Sequence, residues 1–129
     1  MENNNGEQIR KLHKSFKHAY RGLRYSLVYE RNFQIEIVCA LVVFFLIFIF
    51  KVKNWEAIVL MLMIMIVLVL ELINTVLERI VDIIKPRIHP YARLVKDVMA
   101  AVVLISALVA IAVGVIIFYP YFRDLLAGV

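Results

Sequence analysis

Twenty-two consecutive residues, Val98–Tyr119, carry no charge, and a run of that length and oiliness is hard to place in a water-soluble domain. A membrane span needs about 20 such residues. Two further runs come close: Ile37–Phe50 is uncharged and lengthens to a span if Gln34–Glu36 form its first turn, and Ala57–Leu70 extends through more polar residues toward Ile84. Over all 129 residues, 64% are hydrophobic and the mean hydropathy is +0.86, which places the chain outside the soluble class. Backbone amides in lipid must be satisfied within their own segment, so the runs predict helices rather than strands. By length the chain is a single domain, residues 1–129, with helices over about 34–50, 56–84 and 91–119.

Before the first span, Ile9, Leu12, Phe16, Ala19, Leu23 and Leu27 recur at three- and four-residue steps, with basic residues between them. That period predicts an amphipathic helix over about 7–31, lying on the membrane surface with Tyr20, Tyr25 and Tyr29 at headgroup level. A helix packed on a soluble partner is the alternative. Lys and Arg fix the expected orientation. Seven lie between Arg10 and Arg31 and five between Arg79 and Lys96, against Lys51, Lys53 and Arg123 elsewhere. The N-terminus and the second connection are therefore expected in the cytoplasm. The N-terminal residues lack an apolar core and a cleavage site, so no cleavable signal peptide is expected. Cys39, the sole cysteine, excludes an intrachain disulfide and reads as a small buried hydrophobe. The net charge of +5 suits anionic lipid or phosphate ligands. No nucleic-acid-binding module is present.

The second run has polar residues where lipid is expected. At 100° per residue, Glu71, Asn74, Glu78 and Asp82 fall on one stripe of a helix. If the span begins near Ala57, about 20 residues at 1.5 Å reach the inner boundary near Val76. Glu71 then lies about 7 Å inside it, Glu78 near it and Asp82 beyond it. Ionisable groups at membrane depth are expensive and normally have a task there. A carboxylate at the depth of Glu71 can reach the hydroxyl of a lipid whose tails stay in the bilayer. One at the depth of Glu78 can hold Mg²⁺ carrying a water-soluble nucleotide, since magnesium uses one or two carboxylates plus phosphate oxygens and waters. Glu30, Lys96 and Asp97 lie at similar depth, and each also reads as an ordinary solvated residue. His89, between Pro86 and Pro90 in a connection that breaks the helix, reads as a loop histidine. No Walker loop, dinucleotide fingerprint, kinase catalytic-loop signature or zinc spacing occurs. With only Gly6, Gly22, Gly114 and Gly128 as glycines, any nucleotide site must be built from side chains on helices.

Three blocks resemble the small prokaryotic membrane kinases of the diacylglycerol kinase and undecaprenol kinase family, over about Phe16–Phe118. They are Glu30-Arg31-Asn32-Phe33 with Glu36; Glu71-Leu72-Ile73-Asn74-Thr75 with Glu78 and Asp82; and His89 followed by Lys96-Asp97. The resemblance implies an all-α integral membrane homotrimer in the bacterial cytoplasmic membrane, with active sites between subunits. It implies Mg²⁺-dependent transfer of the γ-phosphoryl of ATP to a lipid alcohol. On the same likeness Glu71 is the general base and Asn74 its orienting partner, while Glu30 and Glu78 hold the metal. Lys11, His18, Glu30, Glu78, Asp82, His89, Lys96 and Asp97 contact ATP, and Arg24, Phe33, Glu36 and Glu71 face the lipid. The chain departs from the family pattern at His18, where tyrosine is usual, and at Arg87, where an acidic residue is common. Glu36 matches the diacylglycerol branch, whereas Glu-Arg-Asn-Phe, Glu-Leu-Ile-Asn-Thr and His-Pro resemble the undecaprenol branch. Undecaprenol is the favoured acceptor and diacylglycerol the second. Outside the kinases, an ion-conducting or transport oligomer and a non-catalytic subunit with carboxylates paired to Arg79 and Lys96 remain open.

Overall fold

The computed structural model describes residues 3–84 and 90–128. Four helices follow one another: α1 (Asn3–Tyr29), α2 (Arg31–Phe50), α3 (Asn54–Ile84) and α4 (Pro90–Leu126). Helices α2, α3 and α4 are each long and apolar enough to cross a membrane, and α1 is not among them. Most of their apolar side chains face outward, Phe45, Ile58, Leu104 and Ile116 among them. That surface suits lipid, or the flank of another copy, rather than water.

The break between α1 and α2 contains neither glycine nor proline. Glu30 alone takes an extended conformation, with φ −103° and ψ 107°. The Gln34 side-chain amide then donates to the carbonyls of Leu27 at 2.9 Å and Val28 at 3.2 Å. Those carbonyls belong to the last turn of α1, which has no partner within its own helix, so a side chain from α2 completes it. Phe33, 1% exposed, closes the corner from the apolar side.

The turn between α2 and α3 uses Lys51 in the left-handed region at φ 48° and ψ 47°. Its N–H and that of Val52 both approach the Ile47 carbonyl, which closes the helix end in the manner usually left to glycine. Val52 thereby tucks into a cluster with Leu60, Ile117 and Phe118. At the start of α3, Glu56 reaches back to the Lys53 N–H at 3.0 Å, the reciprocal half of a capping box.

Helix α4 runs past the expected end at Tyr119, through Pro120, to Leu126. Proline removes one ladder hydrogen bond, but packing holds the helix on course. Phe50 stacks on Phe118, Tyr121 and Phe122 at centroid distances of 6.0, 6.0 and 4.7 Å, and the Tyr121 hydroxyl donates to Glu56. Hydropathy alone could not show this extension, because the stabilising contacts come from other helices.

Candidate active site

One face of α3 collects its buried residues: Glu56, Leu60, Val67, Glu71, Asn74 and Thr75. The same face bears the polar stripe read from the sequence. Burial by the other helices falls along it. Glu71 is 3% exposed and Asn74 6%, Glu78 is half-buried and Asp82 is exposed.

Around Glu71 the other elements bring polar groups from α2. The Asn32 side chain lies within hydrogen-bonding reach of the Glu71 carboxylate, and the charges of Glu78 and Glu30 act on it. Glu36 is near enough to feel Glu71 in turn. Four carboxylates, two on α3, one on α2 and one at the extended residue before α2, thus share one region, with Asn74 donating weakly to Glu78 at 3.4 Å. Glu71 Oε2, Glu36 Oε2 and Asn74 Oδ1 are buried and have no hydrogen-bond partner. Buried polar atoms are nearly always paired, so three orphans in one place single out this corner as the candidate site.

The rim differs from this interior. Arg79 pairs with Glu30 at 2.6 Å and its guanidinium lies 5.7 Å from the centre of the Tyr25 ring. Lys96 on α4 pairs with Asp82 on α3 at 2.5 Å. Asp97 is exposed one residue further on. The sequence reading missed two of these features. Asn32 entered it only within a matched block, and Arg79 only as a partner for carboxylates in a non-catalytic subunit. Arg79 lies two turns after Glu71 along α3, a spacing that could have suggested a cationic rim.

Of the residues assigned on family likeness, Glu30, Phe33, Glu36, Glu71, Asn74 and Glu78 belong to this corner. Lys96 and Asp82 join it from the rim. Lys11, His18 and Arg24 are exposed on α1, about 28, 18 and 9 Å of helix before Glu30, and the single chain does not fold the first two onto the stripe. His89 and Arg87 lie outside the described residues.

The donor set fits a hard divalent cation. Among the described residues no three His, Cys, Asp or Glu side chains form a ready-made cage. Yet Glu30 and Glu78 supply carboxylate oxygens whose charges act on Glu71, and the unpaired Asn74 Oδ1 adds a carbonyl-type oxygen beside Glu78. Magnesium asks for no more than this when phosphate oxygens and waters complete its shell. On the flank of the stripe, Val69, Leu72, Ile73, Val76 and Leu77 line a shallow apolar groove open to the outside.

Comparison with known proteins gives the family. The family model for prokaryotic diacylglycerol kinase matches residues 17–118, which include every element of the corner. An undecaprenol kinase of Bacillus subtilis is 34% identical over 113 residues, spanning 88% of this chain and 92% of that protein. A diacylglycerol kinase of Synechocystis is 32% identical over 107 residues, spanning 82% of this chain and 61% of that one. Three helices apolar enough to cross a membrane and a match that spans four helices lead to one conclusion: the chain is an all-α integral membrane lipid kinase that belongs to the prokaryotic diacylglycerol kinase family.

Proposed function

We propose that this protein phosphorylates undecaprenol to undecaprenyl phosphate, with ATP as donor and Mg²⁺ as the required ion. The observation that carries the reading is Glu71, buried on the inner face of α3 with an unpartnered Oε2. Support for the acceptor comes from the relative named an undecaprenol kinase, which aligns over nearly its whole length. Diacylglycerol is the second reading, favoured by Glu36 beside Glu71 and by the Synechocystis relative.

In this mechanism Glu71 Oε2 accepts the proton of the lipid hydroxyl while that oxygen attacks the γ-phosphorus. The bond from the γ-phosphorus to the bridging oxygen breaks, ADP leaves, and the proton remains on Glu71. Asn74 orients the carboxylate through its place one turn along the stripe. Glu30 and Glu78 hold the metal ion, which when bound neutralises phosphate charge. Asp82, Lys96 and Asp97 face the nucleotide from the rim, and the apolar groove at Leu72 and Val76 is a resting place for the isoprenoid tail. Positioning and charge neutralisation are the main needs of phosphoryl transfer.

Lys11, His18 and His89 as nucleotide contacts, and Arg24, Phe33 and Glu36 as lipid contacts, extend the same reading. A homotrimer is part of the same reading: three helices cover the stripe incompletely, and α1 of a neighbouring copy would bring Lys11 and His18 to the nucleotide. The whole chain then acts as one kinase domain in the bacterial cytoplasmic membrane, its N-terminus on the cytoplasmic side. The non-catalytic reading expects carboxylates paired to Arg79 and Lys96, and Glu30 and Asp82 are paired in that way; the unpartnered Glu71 Oε2 favours the kinase over it.

The test is transfer of radiolabelled γ-phosphate in identical membranes supplied with undecaprenol or diacylglycerol. Undecaprenol should be labelled faster, and only with Mg²⁺ present. Preferential labelling of diacylglycerol would reassign the acceptor, and voltage-driven cation flux without ATP or label transfer would remove the kinase mechanism.

A further inference from the structure

The carboxylate assigned to the metal is already occupied by a cation from the chain itself. Arg79 Nη2 lies 2.6 Å from Glu30 Oε1, and the same guanidinium lies 5.7 Å from the Tyr25 ring centre. Glu30 is the single extended residue between α1 and α2, and Tyr25 belongs to the last turns of α1. One arginine on α3 therefore grips both the end of the surface helix and its hinge. The grip is not deeply buried: the Arg79 side chain is 52% exposed and that of Glu30 19%. An exposed pair of this kind is weak, worth about 0–1 kcal/mol, and a divalent ion with its phosphates can replace it. A guanidinium held against Glu30 Oε1 repels a second cation at the same carboxylate, so the arginine and the metal ion compete for it.

We infer that Arg79 is a tethered counter-ion, a positioning residue that fills the cation place at Glu30 when no nucleotide is bound and is displaced when the metal arrives. The inference rests on the assignment of Glu30 to the metal. Displacement has two consequences. The metal binds against a competitor, so its apparent affinity is lower than Glu30 and Glu78 alone would give. The Tyr25 contact loses its partner at the same moment, so metal binding loosens the end of α1 from α3. A freed guanidinium at the rim, planar and permanently charged, is then available for phosphate oxygens.

Mn²⁺ alone serves as the probe, with free ion counted by electron paramagnetic resonance, on full-length protein in phosphatidylcholine nanodiscs. The variants are Arg79→Gln, Arg79→Lys and Glu30→Gln. Arg79→Gln should bind Mn²⁺ about fivefold tighter than the parent, the change matching about 1 kcal/mol of lost competition. Arg79→Lys, which keeps the charge, should stay near the parent. Glu30→Gln should bind more weakly than either. If Arg79→Gln binds no tighter while Glu30→Gln binds weakly, the counter-ion role is overturned and the metal site stands. If Glu30→Gln binds as the parent does, the metal assignment fails and takes this inference with it. Amide exchange across Tyr25–Asn32 in the parent is an independent reading: Mn²⁺ should quicken it, and slower or unchanged exchange overturns the displacement.

Discussion

Helix α3 buries two glutamates, Glu56 and Glu71, about 22 Å apart along its axis. Both are nearly inaccessible, at 7% and 3% exposure, and both lie on the face turned toward the other helices. Their surroundings are opposite. Glu56 accepts from the Lys53 backbone and from the Tyr121 hydroxyl, and an aromatic group built on Phe50, Phe118 and Phe122 surrounds that joint. Glu71 has the Asn32 side chain in reach, yet it keeps Oε2 unpaired and stands among other carboxylates. A buried charge with its partners in place holds a fold together. A buried polar atom lacking a partner costs stability and marks a candidate functional position. Burial alone does not distinguish structure from function; completeness of hydrogen bonding does.

The sharpest way to break this contrast is to neutralise each carboxylate in turn. Glu71→Gln should lower lipid phosphorylation by about 10²–10⁴-fold, the usual scale of general-base assistance, while thermal unfolding in detergent stays near the parent. Undiminished turnover would show that Glu71 does no chemistry. Glu56→Ala should do the reverse. It strands the Tyr121 hydroxyl and the Lys53 N–H, so stability should fall by about 1–3 kcal/mol, with kcat unchanged at temperatures where the variant stays folded. Tyr121→Phe removes one donor and leaves the backbone bond, so a loss of about 1 kcal/mol is expected in the same unfolding assay. Gln34→Ala, at the opposite end, should cost the least, about 0.5–1 kcal/mol. It should appear as faster amide exchange in the last turn of α1 rather than as global unfolding.

The two glutamates also differ in how far the sequence disclosed them. Glu71 was legible because it follows an uncharged run and shares a helical stripe with Asn74, Glu78 and Asp82, a pattern that depends only on 3.6-residue periodicity. Glu56 was not. It stands beside Lys53 and Trp55 in a turn, where a carboxylate looks solvated, and its partner Tyr121 is 65 residues away. The three spans were legible for the same local reason as Glu71, whereas the end of α4 was not, because contacts with Phe50 carry the helix past Pro120. The corner at Glu30 was anticipated as the end of the surface helix. Its cause was hidden, since Gln34 caps α1 from six and seven residues downstream and no glycine or proline announces the bend. Local periodicity is written in neighbouring residues; pairing across helices is not.

Helix α4 has 37 residues, a rod of about 55 Å against a hydrocarbon layer of about 30 Å. Its far end is pinned by Ile117, Phe118 and Tyr121, and Lys96 rides about 33 Å away along the axis. Leaning such a rod by about 5° about the pin carries Lys96 sideways by about 3 Å, more than the length of its bond to Asp82. Bilayer thickness is one of the forces that lean a long helix, alongside its packing, so the lipid that hosts this enzyme is geometrically coupled to the lysine that pairs with Asp82.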